Sequence, residues 1–185
     1  MGALEMSEFP ITTTLISDDL AIGWQSALGL TVELAPIDES AHIVRSWNGR
    51  ARNLAAEEFK LFACTISSSD DMRPPALSSM WPGKTFTLVP PAELSDAIQP
   101  GASSRTLIRT PHPGSVRCVT RNFADVAFTV TGKTVTLAAP ASEPVRIFYR
   151  PILKLFVTEP WTSSTHEQNA QVSWTLVAEE EGGDV

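Results

Sequence analysis

The sequence predicts a mainly β protein: an antiparallel β-sandwich or barrel-like domain with one or two short helices and extended termini and loops. Three observations carry this expectation. Short β-branched runs recur along the chain with turn signals between them. Fourteen prolines in 185 residues are a mild excess, and proline breaks both helix interiors and central strands. Stretches with helical periodicity are few and short. The length fits one domain, placed at residues 1–178, with an acidic arm over about 1–17 and a flexible acidic tail over 179–185.

In chain order, ITTTLIS (11–17) reads as a strand. LAIGWQSALGL (20–30) reads as a short helix weakened by Gly23 and ended by Gly29. TVELAP begins a further strand, followed by a proline-containing loop. HIVRSW (42–47) runs into Asn48-Gly49, a hairpin signal, because both residues tolerate the positive φ of a type I′ turn. Asn53 can cap a short helix over LAAEEF, with Glu57 and Glu58 near its positive end. FKLFACTIS (59–67) either continues that helix or becomes a strand. SSSDDMRPP (67–75) reads as a loop, KTFTLV (84–89) as a strand and ELSDAI (93–98) as one helical turn. Strands follow at 105–109, 116–120, 124–131, 134–138, 145–158 and 170–178. The last two should pair antiparallel, with a bulge or an edge position at Pro151, because proline cannot donate to the ladder.

Two Gly-Lys-Thr triplets, at 83–85 and 132–134, end like a phosphate-binding loop. That loop needs a glycine five residues before the Gly-Lys pair, and it must lead into a helix. Ser78 and Ala127 occupy those positions, and both triplets lead into β-branched runs. Turns account for each residue better: glycine allows positive φ, lysine stays solvated and threonine starts a strand. Pro82-Gly83 fits a type II turn, and Trp81 beside it reads as a buried anchor.

Charge is distributed unevenly. Residues 1–44 carry seven acids and no base, residues 45–154 carry fourteen bases and eight acids, and residues 155–185 carry six acids and no base. Acidic ends beside a basic middle suggest that the ends lie against the middle, of the same chain or of a neighbour. No apolar run is long enough for a membrane span. The first ten residues lack the basic and apolar regions of a secretory signal. Cys64 and Cys118 read as two small buried hydrophobes.

Nothing in the chain identifies a reaction. His42, His112 and His166 are scattered without metal-ligand spacing. Asp18-Asp19 and Asp70-Asp71 are adjacent pairs, poor partners for acid–base work because neighbours in a strand face opposite ways. A loop calcium site at Asp70-Asp71 is outweighed by solvation. No catalytic residue, cofactor or metal is therefore assigned. Arg105, Arg109, Arg117 and Arg121 surround the loop TPHPGS. If 105–109 and 116–120 pair, the four form one basic patch, which could face a protein or nucleic acid phosphate, or simply solvent. Specific nucleic-acid binding is disfavoured by the acidic chain and by the lack of interleaved aromatics, with only Phe123 nearby. Among tryptophans 24, 47, 81, 161 and 174, Trp161 sits in a polar loop and is the candidate exposed anchor.

Residues 67–75 form a serine/aspartate loop ending in Pro-Pro, and Trp81-Pro82-Gly83 forms a turn. Arg150-Pro151-Ile152-Leu153 then opens a terminal strand pair that carries the late Trp174. This pattern resembles small virion structural proteins of tailed bacteriophages, over about residues 43–178. The resemblance implies a β-sandwich with loops or arms that reach a neighbouring subunit. The expected function is a non-enzymatic structural subunit of a tail, tail tube, neck or baseplate, made in the host cytoplasm and resident in the virion. Its partners would be copies of itself and other virion proteins, with no membrane and no small-molecule ligand. The alternatives are a capsid decoration protein and a carbohydrate-binding adsorption module using exposed tryptophans. An enzyme ranks third.

Overall fold

Strands dominate because alternation, not helical periodicity, decides which side chains are buried. The computed structural model describes residues 15–23, 29–54, 60–71 and 73–182, apart from the side chains of Glu39, Asp70 and Asp71. Among these residues the chain is mainly β and has no helix of seven or more residues. The only helical pieces among them are 3-10 turns at Asp38–Ser40 and Leu77–Ser79. The strands are β1 (Leu30–Pro36), β2 (Ile43–Arg45), β3 (Ala51–Asn53), β4 (Phe62–Asp71), β5 (Thr85–Leu88), β6 (Leu94–Ile98) and β7 (Ser104–Thr106). They continue with β8 (Arg117–Val119), β9 (Phe128–Thr131), β10 (Thr134–Leu137), β11 (Val145–Tyr149), β12 (Leu153–Val157), β13 (Thr162–Thr165) and β14 (Val172–Glu180).

Residues 1–178 are read from sequence as one domain; the folded chain groups into two compact units. One comprises Met1–Leu15 and Val89–Ile152, and the other Ile16–Leu88 and Leu153–Val185.

The larger unit is built on a six-stranded antiparallel sheet in the order β1-β4-β14-β12-β5, with β13 also on β14. In β14 the residues Val172, Trp174, Leu176, Ala178 and Glu180 alternate as buried positions with half-buried ones between them. Their cross-strand partners continue the same buried face: Leu176 lies opposite Ile66, Ala178 opposite Cys64, and Leu155 opposite both Glu180 and Phe86. Glu180 is an acid on this buried face, and its carboxylate accepts the Phe62 N–H at 3.2 Å. Leu20, Leu77 and Met80 are buried from the segments preceding β1 and β5. The same unit carries a separate hairpin, β2–β3.

The smaller unit has two three-stranded antiparallel sheets, β7-β10-β9 and β6-β11-β8. Leu107, Val135 and Leu137 from the first share one core with Ile98, Cys118, Val145, Ile147 and Tyr149 from the second. Two sheets with one shared apolar interior make a small sandwich.

Several local expectations are corrected. ELSDAI is not a helical turn: Leu94–Ile98 is strand β6, paired along its whole length with β11 and burying Ile98. The ladder outweighs the weak helical preference of those residues. Of FKLFACTIS, the residues from Phe62 onward are strand, and β4 runs on through Asp71, so the serine/aspartate stretch is ladder before it is loop. Residues 145–158 are two strands in different sheets, and Pro151 lies in a bridge to Pro111 at the crossing, not in a bulge. β12 and β14 do pair antiparallel, and the loop between them adds strand β13. The Asn48-Gly49 hairpin forms with a different turn. The Gly49 N–H donates to the Ser46 carbonyl at 2.8 Å and Gly49 alone takes positive φ, +79°. That is a type I turn closed by a glycine bulge, not type I′. Asn53 ends β3 and its Oδ1 accepts the His42 N–H at 2.9 Å. Glu179 and Glu180 belong to β14, not to a tail. The strand expected at 11–17 and the helix expected over 54–59 fall largely outside the described residues. Of the helix expected over 20–30, residues 24–28 fall outside them, while 20–23, 29 and 30 are turn, irregular and strand, not helix, with Ala21 at φ +46°.

Both Gly-Lys-Thr triplets are turns. The Lys84 N–H donates to the Trp81 carbonyl at 2.9 Å with Gly83 at φ +89°, a type II turn. Gly132, at φ +59°, joins paired Thr131 and Thr134.

Trp174 is 2% exposed on the central strand. Trp174→Ala should cost about 3–5 kcal/mol, read as a lowered urea midpoint with the slope unchanged.

Candidate interaction surfaces

Of the four arginines read as one patch, Arg105 and Arg117 stand on strands that do not pair with each other, and Arg109 and Arg121 lie in the bend and the turn that follow those strands. β7 pairs with β10, and β8 pairs with β11. The condition for a joint patch therefore fails. Arg105 Nε is 2.8 Å from Asp96 Oδ2, and that contact raises the Arg105 pKa. Arg117 donates to both Glu93 carboxylate oxygens, at 3.0 and 2.8 Å, and its guanidinium lies 5.7 Å from the Phe148 ring centroid. Arg109 donates to the Ile108 carbonyl, and Arg121 lies exposed in the turn after β8. Glu93 and Asp96 were not singled out from sequence because the segment holding them was read as helical.

The tryptophans also redistribute. Trp161 is half-buried, not the most exposed. Trp47, at the tip of the β2–β3 hairpin, is 100% exposed. Trp81 is 69% exposed and is held by an indole N–H bond to the Ser78 carbonyl, so it is no buried anchor.

The motifs behind the phage resemblance are structural joints. Arg150 Nε donates to the Pro90 carbonyl at 2.8 Å and its NH2 to the Val89 carbonyl at 3.1 Å. The exit of segment Val89–Ile152 is thereby clamped to its entry. Partial burial lowers the Arg150 pKa, and the Glu93 carboxylate acts in the opposite direction. Ser115 completes the joint, its hydroxyl accepting the Arg150 N–H at 3.2 Å.

A depression of about 420 Å³ opens on the larger sheet. Thr31 lies opposite Ser67, Ser67 opposite Thr175 and Thr175 opposite Thr162, so four hydroxyl residues form one row across four strands. Ser164 and Ser173 bring their hydroxyls within 2.8 Å beside that row. Among the described residues, no charged residue or histidine lines the depression. A hydroxyl nucleophile needs a neighbouring base, and none stands there. Among the described residues its one aromatic is Trp174, which is buried; Trp47, Trp81 and Trp161 do not line it.

The third surface is the β2–β3 hairpin. Its strands pair only with each other among the described residues. Every residue from 41 to 54 is exposed, including Ile43, Val44, Trp47 and Leu54. Arg45, Arg50 and Arg52 lie on it, and it contains no acid.

Among the described residues, no group of three or more His, Cys, Asp or Glu is placed to hold a metal ion. The side chains of Asp70 and Asp71 lie outside the description. No helix among the described residues is long and apolar enough to cross a membrane. Cys64 and Cys118 are buried free thiols, as expected. Burial pushes them up to about 12 and about 11.

No protein-family model and no curated protein matches this chain.

The thiols give a pH prediction. The unfolded chain ionises them near pH 9, whereas the folded chain keeps them neutral to about 11 and 12. Their stabilising contribution is full below about pH 9 and is lost as the pH rises towards 12. A thiol reagent at pH 8 should label neither cysteine in the folded protein and both in urea.

Proposed function

We propose that this chain is a non-enzymatic structural subunit that assembles with copies of itself, and that the assembly is part of a tailed-phage virion, in the tail, tail tube, neck or baseplate. The β2–β3 hairpin carries the reading. A two-stranded ribbon has little stability alone, and this one displays three large apolar side chains and a fully exposed tryptophan. Exposed apolar groups interspersed with arginines are the composition of a protein-binding surface.

The virion assignment rests on the resemblance over residues 43–178, to which the hairpin belongs. A capsid decoration role is the alternative within the same class. The sugar-binding reading has less support because, among the described residues, no exposed aromatic lines the hydroxyl-lined depression.

Light scattering after size exclusion, over a range of concentrations, tests the assembly role. The wild-type protein should form a discrete oligomer, or polymerise as concentration rises, and low salt should strengthen association. Trp47→Ala should weaken association at least tenfold while leaving the fold intact. A wild-type protein that remains monomeric at every concentration and salt would reject self-assembly.

A further inference from the structure

The six-stranded sheet has unequal edges. Strand β1 forms one of them and pairs only with β4 among the described residues. The phase of that pairing identifies what β1 turns outward. The Ile37 N–H donates to the Leu61 carbonyl at 3.0 Å. Antiparallel alternation then turns the main-chain groups of Leu30, Val32 and Leu34 away from β4. Pro36 shares that outward phase, where an edge strand tolerates a residue with no N–H.

The opposite edge, β5, is already occupied by side chains. The Ser17 hydroxyl donates to the Thr87 carbonyl at 2.8 Å, and the Thr87 N–H donates to Asp19 Oδ2 at 3.3 Å. β13 offers another outer edge, but its four residues carry no charge. β1 is longer, and exposed Glu33 and Asp38 lie on it and just after it, with no base between residues 29 and 44. The hairpin has the opposite character: its strands pair only with each other among the described residues, and it carries three arginines and no acid.

We infer that the β2–β3 hairpin of one copy adds as a strand to the open edge of β1 in a second copy of this chain. This rests on the self-assembly reading above and names the docking site for the hairpin. Main-chain hydrogen bonds supply the pairing, and arginine against Glu33 and Asp38 sets its direction. Donor and acceptor are different surfaces, so the contact is head to tail and propagates into a ring or a filament.

Two kinds of variant separate the halves of the contact. Val32→Pro removes an outward N–H while sparing the β4 ladder, and Glu33→Lys reverses the edge charge without touching the backbone. Arg45→Glu with Arg52→Glu reverses the hairpin. Circular dichroism and urea midpoints establish which variants keep the fold, and light scattering reads assembly. Each folded variant alone should associate at least tenfold more weakly than wild type. An equimolar mixture of the Val32→Pro and Arg45→Glu/Arg52→Glu proteins should form a one-to-one dimer and stop. The first retains a donor hairpin and the second an acceptor edge. If wild type assembles and Val32→Pro and Glu33→Lys assemble equally well, β1 is not the acceptor, although hairpin-driven assembly still stands. A mixture that remains monomeric also overturns the inference. A monomeric wild type removes the assembly reading and this inference with it.

Discussion

The pairing of β14 with β4 is the constraint on which the larger unit depends. It joins the last strand of the chain to one formed about a hundred residues earlier. β14 also holds β12 and β13, so four of the sheet's six strands are β14 itself or its direct neighbours. Register is enforced by Trp174, Leu176 and Ala178, since a one-residue slip would turn all three to the other face. Glu180 adds a polar check. Its buried carboxylate meets the Phe62 N–H in this register, and a buried carboxylate is costly unless it is hydrogen-bonded.

The same alternation produces the hydroxyl row on the other face. Positions between the core residues of β14 face the row, and the register aligns Thr175 with Ser67, Thr31 and Thr162. A continuous polar band is thus a by-product of a well-registered sheet. Among the described residues it carries no charge, histidine or exposed ring, unlike the hairpin, where apolar area and guanidinium groups coincide.

How much of this the sequence revealed depended on the range of the interaction involved. The Pro82-Gly83 turn and the Gly132-Lys133 hairpin were readable because turn chemistry is local. So was the burial of Cys64 and Cys118. The mainly β class followed from alternation. Misreadings arose where a distant strand decided the outcome. Leu94–Ile98 has the composition of a helical turn, yet β11 makes it a strand. Arg105 and Arg117 looked like strand partners because they are close in sequence, but β7 and β8 belong to different sheets. Trp161 lies in a polar loop and is half-buried, whereas Trp47 lies on a β-rich hairpin and is wholly exposed. Exposure of a hairpin follows from which strands decline to pair with it, and that information is not in the hairpin.

The joint at Arg150 has a consequence for how the chain closes. Leu88 and Leu153 are paired neighbours in β5 and β12, yet all of Val89–Ile152 runs between them. Bringing those two strands together across an unstructured segment of that length costs about 2–3 kcal/mol more in entropy than closing a tight turn. If the intervening sandwich forms first, its clamped ends deliver both strands to pairing distance, and the loop is in effect already closed. Topologically, β5 and β12 are then a hairpin whose turn is an entire folded unit.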